Sequence, residues 1–69
     1  MGLTLTYKIY LEKLRRSGRV NMFCAIPWLQ KEFDIPADEA RSILTEWMNT
    51  TKLSDYDGVD FDEYNFRTI

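Results

Sequence analysis

Two sets of side chains carry what chemistry this sequence holds. The first lies between Asp55 and Phe66, where Asp55, Asp57, Asp60, Asp62 and Glu63 interleave with Tyr56, Phe61, Tyr64 and Phe66. Carboxylates set among aromatic rings suit protein binding: the acids match a basic groove on a partner, and the rings anchor as buried hot spots. Tyr56, Asp57, Phe61, Asp62 and Tyr64 are therefore the candidate protein-binding residues. The second set is basic and polar. Arg15, Arg16 and Arg19 cluster in the first third of the chain, and Arg41, Ser42, Thr45 and Asn49 fall on the polar side of a helical pattern. Guanidiniums meet phosphates, and these polar side chains reach base edges, so the seven form an alternative, DNA-binding set.

The missing residue types exclude more than the present ones suggest. The chain of 69 residues has no histidine and one cysteine, Cys24. Histidine-based acid–base catalysis, Ser-His and Cys-His nucleophiles and His-containing zinc sites are all ruled out. One thiol makes no intramolecular disulfide and no all-thiolate metal site. It suits a reducing compartment, and between Phe23 and Ala25 it reads as a small buried hydrophobe. Asp55, Asp57, Gly58 and Asp60 hint at a calcium loop. With Gly58 in the glycine position, Leu53 and Tyr64 occupy the terminal ligand positions, so the loop fails at both ends. The sequence implies no enzyme, no cofactor and no metal. No apolar run approaches the roughly 18 residues that cross a membrane, and no secretory leader is evident. The Met1–Thr6 stretch fits a myristoylation pattern, and its Gly2 reads equally as an unmodified residue.

With 45% apolar and 29% charged residues, the composition is that of one small folded domain. Its charge is polarised. Residues 1–31 carry six cations against Glu12 alone, and residues 32–69 carry ten acids against Arg41, Lys52 and Arg67, for a net −2. Such asymmetry points either to a charged partner or to two halves that face one another.

Three segments have helical periodicity. From Thr4 to Ser17, Tyr7, Tyr10, Leu11 and Leu14 recur at i, i+3, i+4 and i+7, with Lys13, Arg15 and Arg16 in the last turn and Gly18 as the stop. Between Asn21 and Phe33, Pro27 forbids a continuous helix. A short turn followed by a helix with Pro27 in its first turn is expected, with Leu29 and Phe33 inward and Asn21 as a cap. From Pro36 to Thr50, Ala40, Ile43, Leu44, Trp47 and Met48 form an apolar stripe, preceded by Asp38 and Glu39. The Trp28/Trp47 pair reads as core rather than a base-stacking platform. Asp57-Gly58 is a turn signal, so the last stretch reads as a short hairpin or a packed tail.

The joint from Leu29 to Trp47 has helix-turn-helix spacing. Asp34 stands where a glycine is usual, and aspartate tolerates the left-handed conformation required there. In such a domain Asp57-Gly58 would be the tip of a wing. The stretch from Tyr10 to Thr50 carries SGRVNMF at 17–23, AIPWL at 25–29 and EFxxPxxEAxxxLxxWM from Glu32 to Met48. In these elements it resembles short uncharacterised proteins of tailed bacteriophages, although Cys24 and Asp34 replace expected glycines. The resemblance implies a cytoplasmic protein of an infected bacterium and supplies no functional residues.

The reading as a whole is a mainly α, small tri-helical, helix-turn-helix-like domain over 1–51, with residues 52–69 as an acidic aromatic tail or wing-like hairpin. The function expected is a non-catalytic binding or regulatory module acting through protein contacts, on a host or phage protein ahead of nucleic acid. A small DNA-binding regulator is the alternative and a minor virion component a third. No membrane partner is expected, and the sequence sets no oligomeric state.

Overall fold

The computed structural model describes residues 4–18, 21, 24–50 and 52–69. Three helices, α1 (Leu5–Ser17), α2 (Ala25–Phe33) and α3 (Ala37–Thr50), are followed by single turns of 3-10 helix at Leu53–Tyr56 and Phe61–Glu63. This is a mainly helical, tri-helical domain.

Local chemistry sets each boundary. Thr4 caps α1, its hydroxyl accepting from the Tyr7 amide at 3.4 Å, and Gly18 closes it in the left-handed region at φ 69°. The amide of Gly18 donates to the Arg15 carbonyl, and Arg15 and Arg16 occupy the last turn, where the helix dipole favours cations. The Asn21 carbonyl accepts from the Cys24 amide at 2.8 Å, closing the short turn before α2. Cys24, not Asn21, holds the N-cap position, and it makes no side-chain cap. Pro27 is the third residue of α2, where its missing N–H leaves no intrahelical bond unmade. Cys24 itself is exposed, which corrects the expectation of a buried thiol.

Asp34 ends α2 at φ 54°, and among the described residues it is the sole non-glycine with a positive φ. The chain turns through Ile35 and Pro36, whose carbonyl accepts from the Ala40 amide at 3.0 Å to start α3. Ala40, Ile43, Leu44 and Trp47 face the core against Tyr10, Leu11, Leu14, Ala25 and Leu29. Met48, expected in that stripe, lies at its edge and is 41% exposed.

The tail corrects the hairpin and wing readings. No strand occurs among the described residues. The turn at Asp57-Gly58 does form, with the Val59 amide donating to the Tyr56 carbonyl at 3.1 Å. Asp57 lies at φ −61°, ψ 124° and Gly58 at φ 77°, which is a type II turn. Two-residue hairpins need the mirror-image turns, whose twist matches paired strands, so this turn sends the chain onward instead of back. The tail then crosses α1. Lys8 pairs with Asp55, Lys13 donates to the Phe61 and Tyr64 carbonyls, and Arg16 lies over the Phe61 ring. Ile9 and Glu12, on the side of α1 away from the helical core, are buried under this crossing. The segment ends with Phe66 against Tyr10 and Phe33, and Ile69 packed on the core. Residues 52–69 are thus part of the same packed body. The radius of gyration, 11.2 Å, matches the roughly 11 Å of a fully packed chain of this length.

The left-handed turn at Asp34 is testable. Asp34→Val should destabilise the domain by about 1–2 kcal/mol, while Asp34→Gly should be tolerated or stabilising. Urea denaturation followed by circular dichroism reads both.

Candidate functional site

The candidate protein-binding residues of the tail are largely occupied by the fold. Tyr56 is buried at 8% exposure, and its hydroxyl accepts from Trp47 Nε1 at 2.7 Å and donates to the Lys8 carbonyl at 3.1 Å. It locks the tail to α1 and α3, so its ring and hydroxyl are engaged within the fold. Phe61 is half-buried, tilted against Tyr56 and covered by Arg16. Tyr64 is half-buried and stacked on Phe66. Asp57 and Asp62 are exposed. Beside them Phe61 and Tyr64 keep part of their surface exposed, while Tyr56 is turned inside.

The DNA-binding set also divides. Arg19 lies outside the described residues. Arg15 and Arg16 both pair with Glu12, Arg15 through Nε and a terminal nitrogen and Arg16 Nε at 2.8 Å. The Glu12 side chain is 3% exposed, whereas those of Arg15 and Arg16 are 49% and 55% exposed. Burial pushes the Glu12 carboxyl up, but the two guanidiniums outweigh it and hold it below its ordinary 4.5. Glu12 in turn holds the Arg15 guanidinium above its ordinary value. This buried acid was not legible as such, because a lone glutamate in a helix usually reads as surface. Arg41, Ser42, Thr45 and Asn49 are all exposed on the outer face of α3, and no hydrogen bond or ion pair engages their side chains among the described residues.

A different cluster lines a surface concavity. Pro27, Trp28 and Lys31 of α2 and Arg67 and Thr68 of the tail line an open groove of about 520 Å³. Trp28 and Lys31 are three apart on α2 and so share a face. Arg67 is placed by helix termination: its guanidinium donates to the Glu32 carbonyl at 2.7 Å and the Lys31 carbonyl at 3.4 Å, capping α2. Thr68 is placed by Glu32, whose carboxylate accepts from the Thr68 amide at 2.9 Å and its hydroxyl at 3.2 Å. The Tyr10 hydroxyl sits between the Thr68 hydroxyl and the Trp28 carbonyl. Burial raises the Tyr10 phenol above its ordinary 10.0; the Thr68 bond opposes this and Glu32 adds to it. The groove therefore has an indole and a proline as apolar wall and two outward cations, Lys31 and Arg67, over a firmly bonded base. The Trp28–Lys31 spacing was a signal for half of it. The other half depends on where the tail ends, which no local pattern reveals.

No family model, curated protein or solved structure matches this chain. Among the described residues, no helix is long and apolar enough to cross a membrane, and no group of acids, cysteine or histidine is placed to hold a metal.

Glu12 yields a pH prediction. Its carboxyl is depressed on folding, so it stabilises the fold above its unfolded pKa, and this is lost as pH falls through the folded value. Between neutral pH and about pH 3, the urea midpoint of wild type should fall more than that of Glu12→Gln. At neutral pH, Glu12→Gln should cost only about 1 kcal/mol, since its half-exposed arginine partners return to water. The Arg15→Ala/Arg16→Ala pair strands a buried carboxylate and should cost roughly 3 kcal/mol.

Proposed function

We propose that this chain is a non-catalytic binding module that works through protein–protein contacts, with the groove of Pro27, Trp28, Lys31, Arg67 and Thr68 as its contact face. The observation that carries the reading is the half-buried indole of Trp28 beside two outward cations at an open concavity. Tryptophan and arginine are enriched among the residues that dominate binding energy at interfaces. The likeness to short phage proteins directs the search for a partner to bacterial proteins, and the lone thiol suits a cytoplasmic setting.

The test starts from immobilised chain exposed to bacterial lysate, with each captured protein then purified and titrated singly. A genuine partner should bind wild type and lose roughly tenfold or more, about 1.4 kcal/mol, on Lys31→Glu. Lys31 is exposed, so this variant keeps the fold. A partner that binds wild type and Lys31→Glu equally removes the groove from the reading, and failure to capture any partner removes the protein-contact role.

A second reading rests on α3, whose outward Arg41, Ser42, Thr45 and Asn49 have no partners among the described residues. It makes the chain a small DNA-binding regulator. Asp38, Glu39 and Glu46 on the same helix oppose phosphate, so protein contact is placed first. Micromolar binding to a mixed-sequence duplex that collapses with salt and on Arg41→Ala would reverse that order. Alanine at Arg15 and Arg16 is the wrong probe here, because it also undermines the fold.

A further inference from the structure

We infer that the α2–tail groove takes an acidic peptide, seating a carboxylate between Lys31 and Arg67 and an adjacent apolar side chain against Trp28 and Pro27. The inference rests on the protein-contact reading and names the chemistry of the partner.

Three observations carry it. The first is charge available in the right place. Lys31 makes no ion pair among the described residues, so its ammonium is not neutralised within the fold. Arg67 remains 73% exposed although it caps α2, and the carbonyl bonds hold its guanidinium at the groove. Its contact with Glu32 is long, at 3.9 Å, and the Glu32 carboxylate is otherwise engaged by Thr68. A cation fixed before the ligand arrives loses less freedom on binding. The second is the wall: Trp28 is half-buried and Pro27 is exposed, giving apolar surface directly beside the cations.

The third is scale. About 520 Å³ lies within the range of roughly 300–1,000 Å³ that accepts a small ligand, enough for a few side chains. A single nucleic-acid strand would also offer rings and anions. It would run beyond the groove, however, over a chain whose net charge is −2 and whose described body measures 30 × 24 × 19 Å. Each added phosphate would extend a polyanion over a chain that is itself net negative. Two cations match one or two carboxylates and no longer polyanion. The peptide is the better-matched occupant.

The experiment uses the full chain and three fluorescein-labelled probes: the hexapeptide DFDLDF, its lysine counterpart KFKLKF, and oligothymidylate. Fluorescence anisotropy gives affinity, and the two indole N–H resonances report location. The acidic peptide should bind in the tens of micromolar and weaken as salt rises. It should move the Trp28 indole resonance and leave that of Trp47, which donates to Tyr56 in the interior. On Lys31→Glu, binding of the acidic peptide should fall roughly tenfold and that of the lysine peptide should rise. The charge swap separates a lost contact from a lost fold. No binding of the acidic peptide at millimolar protein overturns the proposal, as does equal binding of both peptides to wild type. Tighter binding of oligothymidylate overturns it in favour of a nucleic-acid groove. Should a purified protein partner still depend on Lys31 while the acidic peptide fails, the protein-contact reading stands and only the ligand class falls.

Discussion

The crossing of residues 52–69 over α1 is the constraint on which the other features of this molecule depend. A chain of 69 residues buries only about 60% of the surface it exposes when unfolded. The other two helices, α2 and α3, cover one side of α1 and leave the opposite side to be covered by something else. The tail closes that side. Tyr56 joins α3 to α1 through Trp47 and the Lys8 carbonyl, Lys13 holds two tail carbonyls, and Phe66 adds its edge to the Tyr10–Phe33 pair. Edge-to-face aromatic contacts of this kind contribute about 0.5–1.5 kcal/mol each beyond the area they bury. Helix α1 is consequently enclosed on both sides, and a glutamate that would otherwise be solvated becomes a buried anion.

The same crossing resolves the charge polarity of the sequence. Lys8, Lys13, Arg15 and Arg16 sit in the basic half, and the tail belongs to the acidic half. Folding places them against one another, but few of the resulting contacts are simple ion pairs. Lys8 meets Asp55, Lys13 meets carbonyls and the Phe66 ring, and Arg16 divides between Glu12 and the Phe61 ring. Exposed ion pairs contribute little, on the order of 0–1 kcal/mol, whereas a cation over an aromatic ring also covers apolar surface. Much of the basic half is therefore used internally. Lys31 and Arg67 at the groove and Arg41 on α3 are exposed, and none of them forms a close ion pair among the described residues, which is why those positions carry the functional readings ahead of Arg15 and Arg16.

The helices were legible because their signals are local and redundant. Apolar spacing, Thr4, Gly18, Pro27 and Pro36 all agree on the same boundaries, and Asp34 fits the left-handed turn its position demands. The tail was not legible because its pattern is degenerate. Acids alternating with aromatics read equally as hairpin, free segment or packed cover. The deciding quantity is the backbone of Asp57, whose negative φ selects a type II turn over a hairpin turn. Nothing in an Asp-Gly pair specifies that choice; the turn observed is the one that brings the rings of Tyr56 and Phe61 together. The burial of Tyr56 and Glu12 and half of the groove were illegible for this common reason, since each depends on where the tail lies. Met48 and Cys24 differ in kind. Each sits at the edge of an apolar pattern, where periodicity cannot tell a covered position from an uncovered one.

The groove and the crossing are one mechanical unit. Arg67 and Thr68 line the groove, and the same two residues fasten the end of the tail to α2 through the Lys31 and Glu32 carbonyls and the Glu32 carboxylate. A ligand that engages Arg67 and Trp28 together binds only the state in which the tail is docked. By mass action it stabilises that state by RT ln(1 + [L]/Kd), about 2.7 kcal/mol at a hundredfold excess over Kd. Local opening of a surface segment requires less free energy than global unfolding, so such stabilisation is largest, relative to what is already there, where the tail is fastened to α2. Occupancy of the groove and closure over α1 are then reciprocal, each favouring the other to the same extent. A ligand seated across this seam between a helix and the segment that covers the core, as proposed above, would therefore be read in the stability of the whole domain.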